Sequence, residues 1–307
     1  MSGRAGLAAA WRLTRPRQWP ILSAQFAVGV ALTLPAGPAL PSALATLDAV
    51  PLVTAWLIWV VLLNGATLAY NSAWDRDTGA VAYLREPPPP PPWLATASLL
   101  AMAAGAGLGA VAVGPGFAAV TGSCVGLSVA YSHPKTRWKS RPGLDLATNM
   151  LGYGAGTTAA GLLAGRAALP AGLPDPGPAP WLFGLGFALL FGSFYPLTQL
   201  YQAEDDRARG DRTLSTRLGA TGALELSLGL GLAALAALQA ALVVGGRGQH
   251  RWLPAAALFL WLVHLGRWRT RAEGLDAAAH ERGMYRALGL WAVIDVTLVA
   301  AWLLPSG

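Results

Sequence analysis

Hydrophobic positions along the 307-residue chain gather into long runs, each near the roughly 20 apolar residues that a helix needs to cross the hydrocarbon layer. The runs cover Trp19–Leu34, Pro51–Tyr70, Trp93–Val113, Gly116–Tyr131, Leu144–Ala164, Trp181–Leu200, Ala223–Val244, Leu253–Leu265 and Leu288–Leu304. Each predicts a transmembrane α-helix. The fourth and eighth are short, and Gly114-Pro115-Gly116 makes a very tight turn between the third and fourth. A long basic flank precedes the first run and no small-residue cleavage site follows it before Pro35, so a retained helix is expected and not a signal peptide. Nothing reads as a separate soluble domain. The expectation for 1–307 is one transmembrane domain, all-α, with nine helices around a central cavity.

Composition narrows the class. Hydrophobic residues make up 54% of the chain and charged ones 12%, about half the usual share for a soluble domain, which excludes an ordinary water-soluble enzyme. The same numbers exclude a disordered chain. The 37 glycines and 23 prolines lack a three-residue period, so collagen is excluded, and glycine within apolar runs suits close packing of membrane helices. A single cysteine, Cys124, leaves no internal disulfide framework and no multi-cysteine metal site.

Charge adds orientation. The N-terminal end and the segments after the second, fourth, sixth and eighth runs hold 19 of the 22 lysines and arginines; the others are Arg166, Arg247 and Arg251. That asymmetry puts the N-terminus and the charged loops in the cytoplasm, with the chain as a multi-pass protein of the cell (inner) membrane. The net charge of +7 is therefore topology and not a nucleic-acid footprint, since the arginines are spread over five segments.

Acids are scarce, 15 in all, and six fall in two short segments on the cytoplasmic side. One is Asn71-Ser-Ala-Trp-Asp75-Arg-Asp77 after the second run; the other is Gln202-Ala-Glu204-Asp205-Asp206-Arg207-Ala-Arg-Gly210-Asp211-Arg212-Thr213 after the sixth. The two runs are four apart, which suggests two similar four-helix halves plus a ninth helix. Residues four apart share a helix face, so Asn71 projects with Asp75 and Gln202 with Asp206. Asp77, Glu204 and Asp205 add oxygens nearby. Such hard donors suit Mg²⁺, which takes one or two carboxylates and completes its shell with phosphate oxygens and water. Solvated loops balancing Arg76 and Arg207 are the plain alternative, and two matching loops favour metal. A third loop, Tyr131-Ser-His-Pro-Lys135-Thr-Arg137-Trp-Lys139-Ser-Arg141, offers cations for a polyphosphate. For Lys139 and Arg141, loop orientation alone is sufficient explanation.

These residues resemble the UbiA superfamily of intramembrane prenyltransferases. The resemblance rests on Asn71-x-x-x-Asp75, Tyr131-x-x-x-Lys135 and Asp206-Arg-x-x-Gly210-x-Arg-Thr-Leu-x-x-Arg-Leu-Gly219, with Arg-Pro-x-x-Trp at 15–19. Tyr131-Ser-x-Pro, Arg137-x-Lys139 and Gly143-Leu-Asp145 are similar to the branch of chlorophyll synthases and archaeal lipid prenyltransferases. The resemblance implies a nine-helix bundle with Mg²⁺, a prenyl diphosphate substrate and a hydrophobic acceptor. It gives Asn71, Asp75 and Asp206 metal roles and Tyr131 and Lys135 diphosphate-facing, catalytic roles, with Arg137, Arg207 and Arg212 as further cations. Ser72 and Gly79 stand where the family has acids, Gln202 where it has Asp, and six prolines, 87–92, follow the first motif.

The chemistry expected is ionisation of an allylic C–O bond, with the cation shielded from water. Tyr70, Trp74, Tyr153, Phe194 and Tyr195 are candidates for π-face stabilisation of the cation, with packing an equal explanation. Transfer to an acceptor is the first expectation, terpene cyclisation the second, a non-catalytic carrier the third. Asp295, inside the last run, is either hydrogen-bonded structure or cavity wall, and Asp145 and Asn149 lie within reach of the site.

Overall fold

Backbone polar groups have no water to bond in hydrocarbon, so an apolar chain must satisfy them within each segment, and the helix does this locally. The computed structural model describes residues 3–77, 79, 81, 84–170, 177–208 and 213–305, with the side chains of 205 and 208 outside the description. Its architecture is all-helical, with one isolated bridge, Val81 to Leu84. Besides a short helix at Leu40–Ala45, the helices are α1 Gly3–Leu13, α2 Trp19–Ala31, α3 Ala49–Asp75, α4 Leu94–Ala112, α5 Pro115–Ser132, α6 144–168, α7 Ala179–Leu200, α8 Ala203–Ala208, α9 Leu214–Val244, α10 Trp252–Arg269 and α11 Ala277–Leu303. By length and composition α3, α4, α7, α9 and α11 are able to cross a membrane.

Every apolar run lies on a helix, but several helices outrun it. The second run ends at Tyr70 while α3 continues to Asp75, so Asn71 and Asp75 sit on a last helical turn and not in a loop. The seventh run starts at Ala223, whereas α9 begins at Leu214, where Thr213 accepts a bond from the Thr216 amide. Gly219, at φ 70°, kinks the added turns. The last run starts at Leu288, eleven residues after α11 begins behind its Asp276 cap. Hydropathy detects only the part of a helix at lipid depth; caps and charged turns carry the remainder into the interface.

Buried apolar residues form two main cores. One joins α2, α3, α4, α5 and α6 around Phe26, Trp59, Met102 and Phe117. The other joins α7, α9, α10 and α11 around Phe183, Phe187, Leu238 and Trp261, with Val28 and Leu32 of α2 packed into it. The proline segment runs under α1: Gly6 faces Pro91 and Trp93, and Arg12 donates to the Glu86 carbonyl at 2.9 Å.

Helix α2 is shared between the cores because glycines let it lie against α6. A Cβ on Gly161 would stand 2.0 Å from the Phe26 carbonyl oxygen, and one on Gly29 would stand 2.3 Å from that of Thr158. Small residues at such crossings allow backbones into van der Waals contact where lipid supplies no hydrophobic drive. The obstacle is backbone on both sides, so neither helix can yield by a rotamer change. Gly161→Val should therefore destabilise by about 1–3 kcal/mol or more, read as a lower unfolding temperature and a reduced monodisperse yield in detergent.

Candidate active site

The two cores meet at a cavity of about 600 Å³ open at the ends of α3, α5 and α7. Its wall has a polar rim and an aromatic interior. On one side the last turn of α3 supplies Asn71 and Asp75, followed by Asp77; on the other, Gln202 and Asp206 come from α8 and the turn before it. Asn71 Nδ2 donates to Ser132 Oγ at 3.2 Å, which leaves its carbonyl oxygen for the cavity. Asp206 is buried, and its amide is tied to the Gln202 carbonyl at 2.9 Å. Asp75 is ion-paired to Lys139, both side chains being mostly buried.

Cations line the same rim: Arg15, Arg137 and Lys139. Arg15 is 8% exposed and donates through Nη2 to Ser72 Oγ at 3.3 Å. Burial pushes its guanidinium below its ordinary pKa, against the opposing pull of Tyr153 and Asp77. Arg15, Arg76 and Arg137, at φ 52°, 50° and 46°, are the non-glycine residues with left-handed backbone among those described. Each costs on the order of 1 kcal/mol, and such strain collects at functional sites. Here it turns the chain sharply next to helix ends, and two of the three, Arg15 and Arg137, line the cavity.

Below the rim, Tyr131 and Tyr195 hydroxyls lie 3.1 Å apart, and Tyr153, Phe191 and Phe194 continue the wall. Tyr153 and Phe191 stack at 5.2 Å, with Trp291 edge-on to Phe191 at 5.9 Å and to Phe194 at 5.7 Å. Gln199 is held in the wall by Asp145, whose buried carboxylate accepts from Gln199 Nε2 at 3.3 Å and from the amides of Gly143 at 2.8 Å and Leu146 at 2.7 Å. Asp145 thus supports the site from behind; Asn149 lines it.

The cavity collects Asn71, Asp75, Asp77, Tyr131, Arg137, Gln202 and Asp206 as the sequence led us to expect. It does not collect Lys135, Glu204 or Arg207, which are exposed and absent from its wall. For Lys135 the reason is local. Helix α5 ends at Ser132 and His133 is extended, so Tyr131 and Lys135 are not one helical turn apart. The chain leaves the cavity after the helix end and returns with Arg137 and Lys139, the lysine that loop topology alone had seemed to explain. Arg212 and the Asp205 side chain lie outside the described residues. Of the expected aromatics, Tyr153, Phe194 and Tyr195 line the wall, while Tyr70 is buried in the core and Trp74 is exposed. Asp295 is buried away from the wall. Arg15 was missed as a site residue because it was counted with the orienting charges, although its Arg-Pro-x-x-Trp setting was visible.

Among the described residues no three of His, Cys, Asp and Glu are close enough to hold a metal ion by themselves. Oxygen donors on two facing walls of one cavity still suit a cation that completes its shell from a bound phosphate group and water.

The profile of the UbiA prenyltransferase family matches residues 27–293, and the chain belongs to that family. Among solved structures it is similar to a UbiA homolog from Archaeoglobus fulgidus bound to GPP and Mg²⁺, with a TM-score of 0.68 at 18% identity over 96% of this chain and 98% of that one. It is also similar to digeranylgeranylglyceryl phosphate synthase, with a TM-score of 0.68 at 11% identity over 97% and 99% of the two chains. An apo UbiA homolog from Aeropyrum pernix K1 aligns with a TM-score of 0.57 at 17% identity over 92% and 97%. At these identities the likeness is one of fold. No curated protein matches the sequence.

Asp145 ties three segments together, so its removal is informative. Asp145→Ala would leave the Gly143 and Leu146 amides and the Gln199 amide group without their acceptor. Each such orphan costs about 1–3 kcal/mol, and thermal unfolding in detergent should register the loss as a marked fall in melting temperature.

Proposed function

We propose that the chain is an intramembrane enzyme that ionises an allylic prenyl diphosphate with Mg²⁺ and passes the prenyl group to a hydrophobic acceptor. The observation that carries this reading is the layered wall of one cavity: carboxylates and cations at the rim, aromatic rings below. Family membership supports it, as does the archaeal homolog of the same fold whose structure holds GPP and Mg²⁺.

Asn71, Asp75 and Asp77 on one side and Gln202 and Asp206 on the other would hold magnesium. When bound, it would supply electrostatic stabilisation of the leaving diphosphate. Arg15, Arg137 and Lys139 would donate charge-assisted hydrogen bonds to the diphosphate oxygens, and Lys139 would exchange Asp75 for substrate. The allylic C–O bond breaks with its electron pair going to the diphosphate. The cation left behind is kept from water by the apolar wall, and the faces of Tyr153, Phe191 and Phe194 stabilise it. Acceptor attack on the cationic carbon forms the new bond, and a proton is then lost.

A second reading, intramolecular cyclisation, is favoured by the stacked Tyr153–Phe191 pair and the edge-on Trp291, a wall suited to moving positive charge along a folded chain. Incubation with Mg²⁺ and geranyl, farnesyl or geranylgeranyl diphosphate, without acceptor, separates the two. A cyclic hydrocarbon or alcohol supports cyclisation, and turnover only on adding an acceptor supports transfer. Absence of diphosphate release under both conditions would remove the enzymatic reading.

Within it, Asp75→Ala and Asp206→Ala should each abolish diphosphate release, as should chelation of Mg²⁺. Lys139→Ala should lose about ten- to hundred-fold in rate, the equivalent of a charge-assisted bond of about 1.5–3 kcal/mol, while Lys135→Ala stays near the parent. Equal rates for both lysine variants would refute the rim assignment.

For orientation we propose nine spans with a cytoplasmic N-terminus and rim. A reporter placed at Arg271 should appear in the cytoplasm and one after Gly307 on the opposite side; a cytoplasmic signal from both would refute the odd span number.

A further inference from the structure

The hydroxyls of Tyr131 and Tyr195 meet at 3.1 Å on the cavity wall, where the charged rim gives way to rings. One stands on the last turn of α5 and the other in α7, 64 positions away. A phenol taken out of water needs partners for both its oxygen and its proton. This pair is framed by two amide side chains whose orientation is fixed.

Gln199 Oε1 accepts from the Ser215 backbone amide at 3.2 Å, which turns its Nε2 to the Asp145 carboxylate at 3.3 Å. Asn149 Nδ2 donates to the Asp145 backbone carbonyl at 2.8 Å. Backbone groups either only donate or only accept, so neither amide can be flipped end for end. Each amide nitrogen has a second proton, and each faces a phenol: Gln199 is a donor to Tyr195 and Asn149 to Tyr131.

Two phenols carry two protons, of which one lies between the two oxygens. Tyr195 is 8% exposed, whereas Tyr131 is only partly buried on the same wall. An unmet O–H belongs where a ligand or water reaches it, so the shared proton is that of Tyr195. Tyr131 then accepts from both Asn149 and Tyr195, and its own O–H is left for whatever fills the cavity.

We propose that Tyr195 is a positioning residue, which holds the Tyr131 hydroxyl with its proton aimed at a diphosphate oxygen of the bound substrate. This rests on the prenyl diphosphate reading and adds to it a residue that acts through another. Asp145 sets the frame from behind, through Gln199 and Asn149. Without Tyr195 the Tyr131 O–H is free to rotate, so the donor is present but no longer preorganised.

The test is a double-mutant cycle on the full chain, purified in one detergent. Calorimetry gives the affinity for inorganic diphosphate with Mg²⁺ in the parent, Tyr131→Phe, Tyr195→Phe and the double variant. Each Phe keeps its ring, and with it the contact of position 195 to Phe191 at 6.4 Å, so the fold is retained. Tyr131→Phe should bind about ten-fold more weakly and Tyr195→Phe about three-fold, with the double variant no weaker than Tyr131→Phe. A role for Tyr195 in structure alone would instead give additive losses, about thirty-fold in the double variant. That result overturns the proposal, as does a Tyr195→Phe equal to the parent or a parent that binds no diphosphate. Diphosphate release from geranyl diphosphate is followed separately. Its absence alongside the expected binding pattern refutes the enzymatic reading and keeps the positioning role; release with additive losses does the reverse.

Discussion

The carboxylate of Asp145 holds together three of the segments that build the cavity wall. It is fully buried at the start of α6, and it bonds Gln199 near the end of α7. Gln199 in turn accepts from the amide of Ser215, whose hydroxyl donates to the Pro196 carbonyl at 3.0 Å. One charged group therefore links α6, α7 and the first turn of α9. Those segments carry Asn149, Tyr153, Phe191, Phe194, Tyr195 and Thr213, all on the cavity. In a low-dielectric interior a bonded carboxylate is strongly directional and an unbonded one is prohibitive, so the linkage tolerates little slack.

Around that anchor the molecule sorts polarity by depth. On the cavity wall the carboxylates of Asp75, Asp77 and Asp206 and the cations Arg15, Arg137 and Lys139 lie where helices end. Aromatic rings occupy the interior, where a cation has no solvent and only π faces to meet it. The arrangement follows from the cost of burying charge: only groups that pair with one another, or with a ligand that brings opposite charge, are tolerated near a membrane core. Lys139 on Asp75 shows the rim balancing its own charges. Left-handed Arg15, Arg76 and Arg137 show backbone strain accepted at the same rim in return for sharp turns at helix ends.

Much of the fold was legible because lipid imposes a simple rule on composition. Apolar runs of the right length had to be helices, and the two acidic segments, four runs apart, had to stand out in a chain with so few acids. Asn71, Asp75, Asp77, Gln202 and Asp206 were found that way. Tyr195 was found for its ring and not for its hydroxyl, because nothing in the spacing ties it to Tyr131, 64 positions away.

What the sequence determined by itself was the helical class, the apolar runs and which oxygen donors and cations the chain has to offer, all consequences of residue type against solvent. What only the tertiary structure decided was which of those residues share a space. The extended turn at His133 withdraws Lys135 and returns Lys139, the convergence of α5 and α7 brings Tyr195 to Tyr131, and the Gly29–Gly161 crossing lets α2 lie against α6. Each depends on where a helix ends or how closely two backbones approach. Those are set by contacts between segments far apart in the chain, which neither hydropathy nor motif spacing records.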